Sequence, residues 1–233
     1  MGFRVVVAAM TALAFTACGS GVAEKEEAPI EGDAFIGNPD AEIVLMEYGA
    51  PTCPACKGWH DAFWSDIKAD YVDTNKIKFV FRVLPSHNPP VDAAIGAIAR
   101  CSGATEFFSV LDDAFEKQVE IERAAVSGEA TKALHDLGGR HGLSPDAVDA
   151  CIKDPASLDL IFTTQDQAEK DRVSGTPTFF INGAPVADPR LPALSAQLDA
   201  ALAAHAASAD SPADSTDTSP QQEESPATDA NPT

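Results

Sequence analysis

Positive charge is scarce in this sequence. Sixteen Lys and Arg stand against 36 Asp and Glu, a formal net charge of −20 over 233 residues. A surface of that sign repels phosphates and gains nothing from counterion release, which excludes nucleic-acid binding. It also offers no basic patch for anionic lipid. A membrane-spanning run is lacking too: the apolar stretch from Val5 to Ala17 is too short to cross a bilayer as a helix. No internal repeat is visible. With 45% hydrophobic residues, the chain still has enough to build one fair-sized domain or two small ones.

The two ends differ from the middle. Arg4 followed by Val5 to Ala17 has the form of a secretory leader, so residues 1–17 are expected to be a signal peptide. Ala12-Leu13-Ala14 offers a small-residue cleavage site. The run Leu13 to Cys18 resembles a bacterial lipoprotein signal, whose first mature residue is a diacylated cysteine, with Phe15 departing from the preferred Leu. The competing reading is a soluble secreted protein with Cys18 lost in the leader. Residues 18–33 are small and acidic, and read as a flexible tether of about 20 Å r.m.s. span. Residues 207–233 carry no large apolar or aromatic side chain and read as a disordered acidic tail.

Between the ends the pattern is that of an α/β domain. Ile43-Val44-Leu45-Met46 is a continuous apolar run, as in a strand buried on both faces. Pro54 opens a helix whose Trp59, Phe63, Ile67 and Tyr71 recur at helical spacing. Residues 77–84 form a second strand, completing a βαβ unit. The next ninety or so residues look helical. Ser144-Pro145 is an N-cap with Pro at N1, and Leu158, Ile161, Phe162, Gln165 and Ala168 carry a last helix. A strand at Thr178 to Ile181, the hairpin dipeptide Asn182-Gly183, and a helix through Leu191, Leu194, Leu198 and Leu202 close the domain. The order is βαβ, helical insertion, ββα. This gives a first part over residues 34–88, an insertion over 89–172 and a second part over 173–206.

Cys53-Pro54-Ala55-Cys56 stands at the strand-to-helix junction. Two cysteines three apart on a first helical turn can close a small disulfide, with Cys53 the exposed thiol and Cys56 one turn deeper. The unsatisfied N–H groups and positive dipole end of the helix stabilise a thiolate at Cys53. A lowered thiol pKa makes Cys53 a better leaving group and the disulfide more oxidising. Half a zinc site would need a second close pair, which Cys101 and Cys151 do not supply. His60 and His87 are isolated and read as polar surface residues, while Trp59, Phe63 and Trp64 read as core.

The segments Glu47 to Cys56 and Val173 to Gly183, taken together, resemble the DsbA-like thiol–disulfide oxidoreductases. These have a thioredoxin-like fold with an inserted all-helical domain. The resemblance spans roughly residues 35–206. It implies a nucleophile at Cys53, a buried partner at Cys56 and a cis peptide between Thr176 and Pro177 opposite the disulfide. It also implies a buried acid at Glu47 exchanging a proton with Cys56, a role that burial after an apolar strand makes plausible. Ala55 departs from the His of the strongest oxidases, which puts the strength of oxidation in question. Lys57 is a weak substitute.

Cys101 and Cys151 each lie three residues after an apolar helix position, so both should be buried. They are either two free thiols or a structural disulfide such as some relatives carry; the sequence gives no distance between them. The expected function is dithiol oxidation of reduced exported proteins, without metal or cofactor, in the periplasm or cell envelope, with a membrane redox partner restoring the disulfide. A reductase or isomerase of the same fold is the alternative. A non-catalytic peptide-binding module sits poorly with two paired cysteines.

Overall fold

A computed structural model describes residues 30–209. Five strands form one sheet: β1 (Ala34–Gly37), β2 (Val44–Gly49), β3 (Lys78–Val83), β4 (Thr178–Ile181) and β5 (Ala184–Pro185). Their order is β1-β3-β2-β4-β5, with β2 and β3 parallel and all other pairs antiparallel. The apolar run thus lies on the central strand, flanked on both edges, and Leu45 to Gly49 are buried throughout. Leu45 faces the main core with α1 and the helical insertion. Met46 and Tyr48 face the other side, with Val80, Phe180 and Ala168. Alternation on the strand puts Glu47 on the face of Leu45.

Helix α1 opens as Pro54–Trp59 and continues through two wide turns, His60–Trp64 and Lys68–Val72, separated by Ser65–Ile67. Six helices lie between β3 and β4: α2 (Pro89–Cys101), α3 (Phe107–Glu116), α4 (Gln118–Val126), α5 (Ala130–Arg140), α6 (Pro145–Ile152) and α7 (Pro155–Lys170). Helix α8 (Ala193–Ala209) packs Leu194 and Leu198 into the core. This is the thioredoxin-like arrangement with a helical insertion. The N-cap at Ser144 forms as read, its side chain accepting the Ala147 N–H. The Asn182-Gly183 turn has both residues at positive φ, 47° and 78°, as a two-residue hairpin of this type requires.

Four readings need correction. The tether does not extend to residue 33. Ile30 is buried, and Asp33 caps the Ile30 N–H and pairs with the buried Arg82 at 2.7 Å, so residues 30–33 belong to the fold. Strand β1 was not legible, because four residues at a sheet edge with a half-exposed Phe35 carry too short a pattern. On α7 the buried stripe is Ser157, Ile161, Thr164 and Ala168, while Leu158 and Phe162 face outward. Helix α8 runs to Ala209, so residues 207–209 belong to it and not to a tail. The leader at residues 1–17, the lipidation site Cys18 and the tail beyond residue 209 lie outside the described residues. Among the described residues no helix is long and apolar enough to cross a membrane.

Candidate active site at the start of helix α1

Strand β2 delivers the chain to the site through Gly49, where there is no room for a side chain. A Cβ there would lie 2.6 Å from the Phe81 ring and 2.7 Å from Glu47 Oε1. The turn Ala50-Pro51-Thr52 follows, and Cys53 takes the N-cap position with extended backbone (φ −75°, ψ 117°). Its sulfur accepts the Cys56 N–H at 3.2 Å. Pro54 sits at N1, where the missing N–H leaves no helical bond unmade. Cys53 and Cys56 are both free thiols. The expected order of depth holds, with Cys56 fully buried, but Cys53 is only 5% exposed and not an open thiol.

What covers Cys53 is the loop before β4. Thr176–Pro177 is a cis peptide, and the Thr176 carbonyl lies 3.4 Å from Cys53 Sγ. A second cis bond, Leu191–Pro192, was not read from the sequence.

The two thiols differ sharply in acidity. The hydrogen bond from the Cys56 side chain lowers the Cys53 pKa to about 6, against an opposing effect of burial. The Thr176 side chain and the N–H groups of Ala55 and Cys56 add to the lowering, as expected at a helix start. Burial pushes the Cys56 thiol up, and the hydrogen bond to Cys53 and the charge of Glu47 push it further.

Beneath the thiols Glu47 is completely buried, as the resemblance implied. Its Oε2 lies 2.8 Å from His60 Nε2. His60 is the main correction to the sequence reading: it is not a surface residue. Its side chain is 8% exposed, and its ring is walled by Phe115, Trp59, Trp64 and Phe81 at centroid distances of 4.6 to 6.0 Å. The available signal was spacing, since His60 lies four residues after Cys56 and hence on the same helix face. Glu47 Oε1 and His60 Nδ1, both buried, have no protein partner. His87 remains at the surface, 3.9 Å from Glu122. Trp59 and Trp64 are core as read, and Lys57 spends its charge on Asp61 at 2.9 Å.

Two positioning residues escaped the sequence reading because each acts from a distant helix. Gln118 of α4 donates Nε2 to the carbonyls of Pro51 (2.8 Å) and Cys53 (3.0 Å). Asp92 of α2, fully buried, accepts the N–H of Thr52 (2.8 Å) through one oxygen and that of Ser86 (3.0 Å) through the other. Cys101 of α2 and Cys151 of α6 are joined by a disulfide, with a Cα–Cα distance of 6.1 Å; Cys151 is buried as expected, but Cys101, at the last position of its helix, is exposed.

A strand-to-helix cysteine pair facing a cis-proline loop, on a mixed sheet with inserted helices, defines a thioredoxin-class protein. The chain belongs to the thioredoxin family, whose model matches residues 30–200. Among relatives, it is 34% identical over 173 residues to a Rickettsia bellii protein named "Putative protein-disulfide oxidoreductase", covering 74% of this chain and 65% of that one. The chain thus spans just under two thirds of the length of the Rickettsia relatives it matches. It is 24% identical over 158 residues to the disulfide bond formation protein D of Bacillus subtilis, covering 66% of this chain and 69% of that one. The crystal structure of alpha-DsbA1 from Wolbachia pipientis shares the fold, with a TM-score of 0.69 at 22% identity over 78% of this chain and 96% of that one.

Proposed function

We propose that this chain is a thiol–disulfide oxidoreductase that oxidises dithiols of exported proteins in the cell envelope. The observation that carries the reading is the pair of unequal thiols: Cys53 at a helix start with its pKa lowered to about 6, over a buried Cys56 whose pKa is raised. An acidic outer thiol is a good leaving group, and stabilising its thiolate favours the reduced enzyme, hence an oxidising disulfide. The name of the Bacillus subtilis relative, a disulfide bond formation protein, points the same way.

The cycle starts from a Cys53–Cys56 disulfide. A client thiolate attacks Sγ of Cys53, since Cys56 is out of reach in the core. The bond to Cys56 breaks, and its electron pair leaves on the Cys56 sulfur. Burial opposes an anion there, so a proton must arrive, and its delivery falls to Glu47, whose charge acts on Cys56, with His60 as its hydrogen-bond partner. A second client thiolate then attacks the client sulfur of the mixed disulfide, and Cys53 departs as its thiolate. The client has lost two electrons and gained a disulfide; the enzyme holds both electrons as Cys53 and Cys56. A membrane redox partner takes them to restore the disulfide. Thr176 offers its backbone beside Cys53 for an extended client segment to pair with. A leader at residues 1–17 and a lipid anchor at Cys18 would hold the enzyme at the membrane.

The test is oxidative refolding of a reduced dithiol protein by the oxidised enzyme. Cys53→Ser is expected to abolish the acceleration. Undiminished activity in that variant overturns the assignment. Rapid insulin reduction with no refolding activity would place the chain with the reductases of this fold.

A further inference from the structure

This chain has 36 acidic residues to 16 basic ones, and Arg82, Arg140 and Arg190 each pair with an aspartate. Arg100, in the last turn of α2, is half-buried and pairs with no carboxylate among the described residues. A guanidinium is a multiple donor, yet Arg100 makes one hydrogen bond to protein, from Nη1 to the Gly96 carbonyl at 3.0 Å. Its Nε is sealed from solvent without an acceptor. The Phe107 ring centroid lies 5.9 Å from Cζ, at the outer limit of a cation–π contact. The negative end of the helix dipole favours a cation here. Burial still works against the charge, and Asp33, already held by Arg82, offsets it only from beyond ion-pair distance. A half-buried charge left this bare is costly, and an anion bound beside it would remove the cost.

There is room for one. Arg100 lines a cavity of about 530 Å³ between β1 and the start of α3, a size typical of small-molecule sites. The buried Phe107 and Phe108 and the side chains of Phe35 and Ile36 give it apolar walls, with Phe35 itself 45% exposed. One unpaired cation among apolar walls matches a molecule with one negative charge and an apolar body. A planar guanidinium takes a carboxylate through two parallel hydrogen bonds. A dianion would bring surplus charge beside Asp33, which also lines the cavity. We propose that this cavity binds a small monocarboxylate, its carboxylate on Arg100 and its apolar body against Phe35 and Phe108. Arg100 lies about 12 Å along α2 from Asp92, the residue that holds the cysteine turn. The Cys101–Cys151 disulfide ties down the helix end that carries it. The site is separate from the thiols, and the proposal goes beyond the oxidoreductase reading without resting on it.

The probe is hexanoate, and the readout is the melting temperature of the full chain at constant ionic strength. With a Kd of about 1 mM, the scale for so small a ligand, about 10 mM hexanoate is expected to raise it by about 3–6 °C. Hexanamide has the same body without the charge, and acetate the charge without the body; neither is expected to match it. Arg100→Gln removes the charge, keeps much of the side chain, and is expected to abolish the rise. A purely structural arginine would change the melting temperature of the free protein and leave hexanoate without effect. No rise in the unmutated chain overturns the proposal, as does an equal rise with hexanamide or in Arg100→Gln. Should the variant fail to fold, the comparison of hexanoate with hexanamide on the unmutated chain decides alone. The readout needs no thiol chemistry. Failure of the refolding assay would therefore strike the oxidoreductase reading alone.

Discussion

At Cys53 the physical chemistry reduces to which groups face one sulfur atom. An ordinary thiol here would titrate near 9.0, and the folded environment lowers that to about 6. Because the folded value lies below the unfolded one, the reduced protein gains stability as the pH rises from about 6 to about 9 and loses it as the pH falls back through 6. The oxidised protein has no titrating thiol in the site. The melting-temperature difference between the two forms should therefore move toward the reduced form across that window, and a difference independent of pH would contradict the assignment. Alkylation of the reduced protein should follow the same midpoint. His60 shows why the lower layer of the site was less legible than the upper. The C-x-x-C motif declares itself through local spacing at one helix start, whereas the burial of His60 depends on Phe115 and Phe81 arriving from α3 and β3. Periodicity alone left it on the surface.

Elements place these residues through a few tight contacts. Strand β2 ends at Gly49, where a methyl group would press on both the Phe81 ring of β3 and Glu47 Oε1. Gly49→Ala should cost about 1–3 kcal/mol in urea unfolding, the usual range for overpacking a core. Helix α4 reaches the cysteine turn with one side chain. Gln118→Ala strands the carbonyls of Pro51 and Cys53 without their buried donor, which should cost about 1–3 kcal/mol and slow thiol exchange. An unchanged exchange rate would show that the turn holds its geometry without α4. The central strand, the Ser144 cap and the Asn182-Gly183 hairpin were readable because each rests on neighbours in sequence. Strand β1 and the inward face of α7 were not, since an edge of four residues and a helix with two outward apolar side chains are decided by what packs on them.

For the molecule as a whole, the Cys101–Cys151 disulfide spans 50 residues and ties the first helix of the insertion to the fifth. Loop-closure entropy for that span gives about 4 kcal/mol of stabilisation. Replacing both cysteines by Ala should lower stability by about that amount while leaving Cys53 titration unchanged; a shift in the titration would mean that the insertion tunes the site. The pairing itself was not legible, because two positions on separate helices carry no distance. The charge of −20 and the redox motif describe different things, the first which partners are excluded and the second what chemistry remains. Whether this chemistry runs as oxidation is decided by the reduction potential of the Cys53–Cys56 pair, measured in a glutathione buffer series. With a Cys53 pKa of about 6, a value between about −120 and −200 mV is expected, on the side of an oxidant. A value near −270 mV would make the pair a reductant and contradict it.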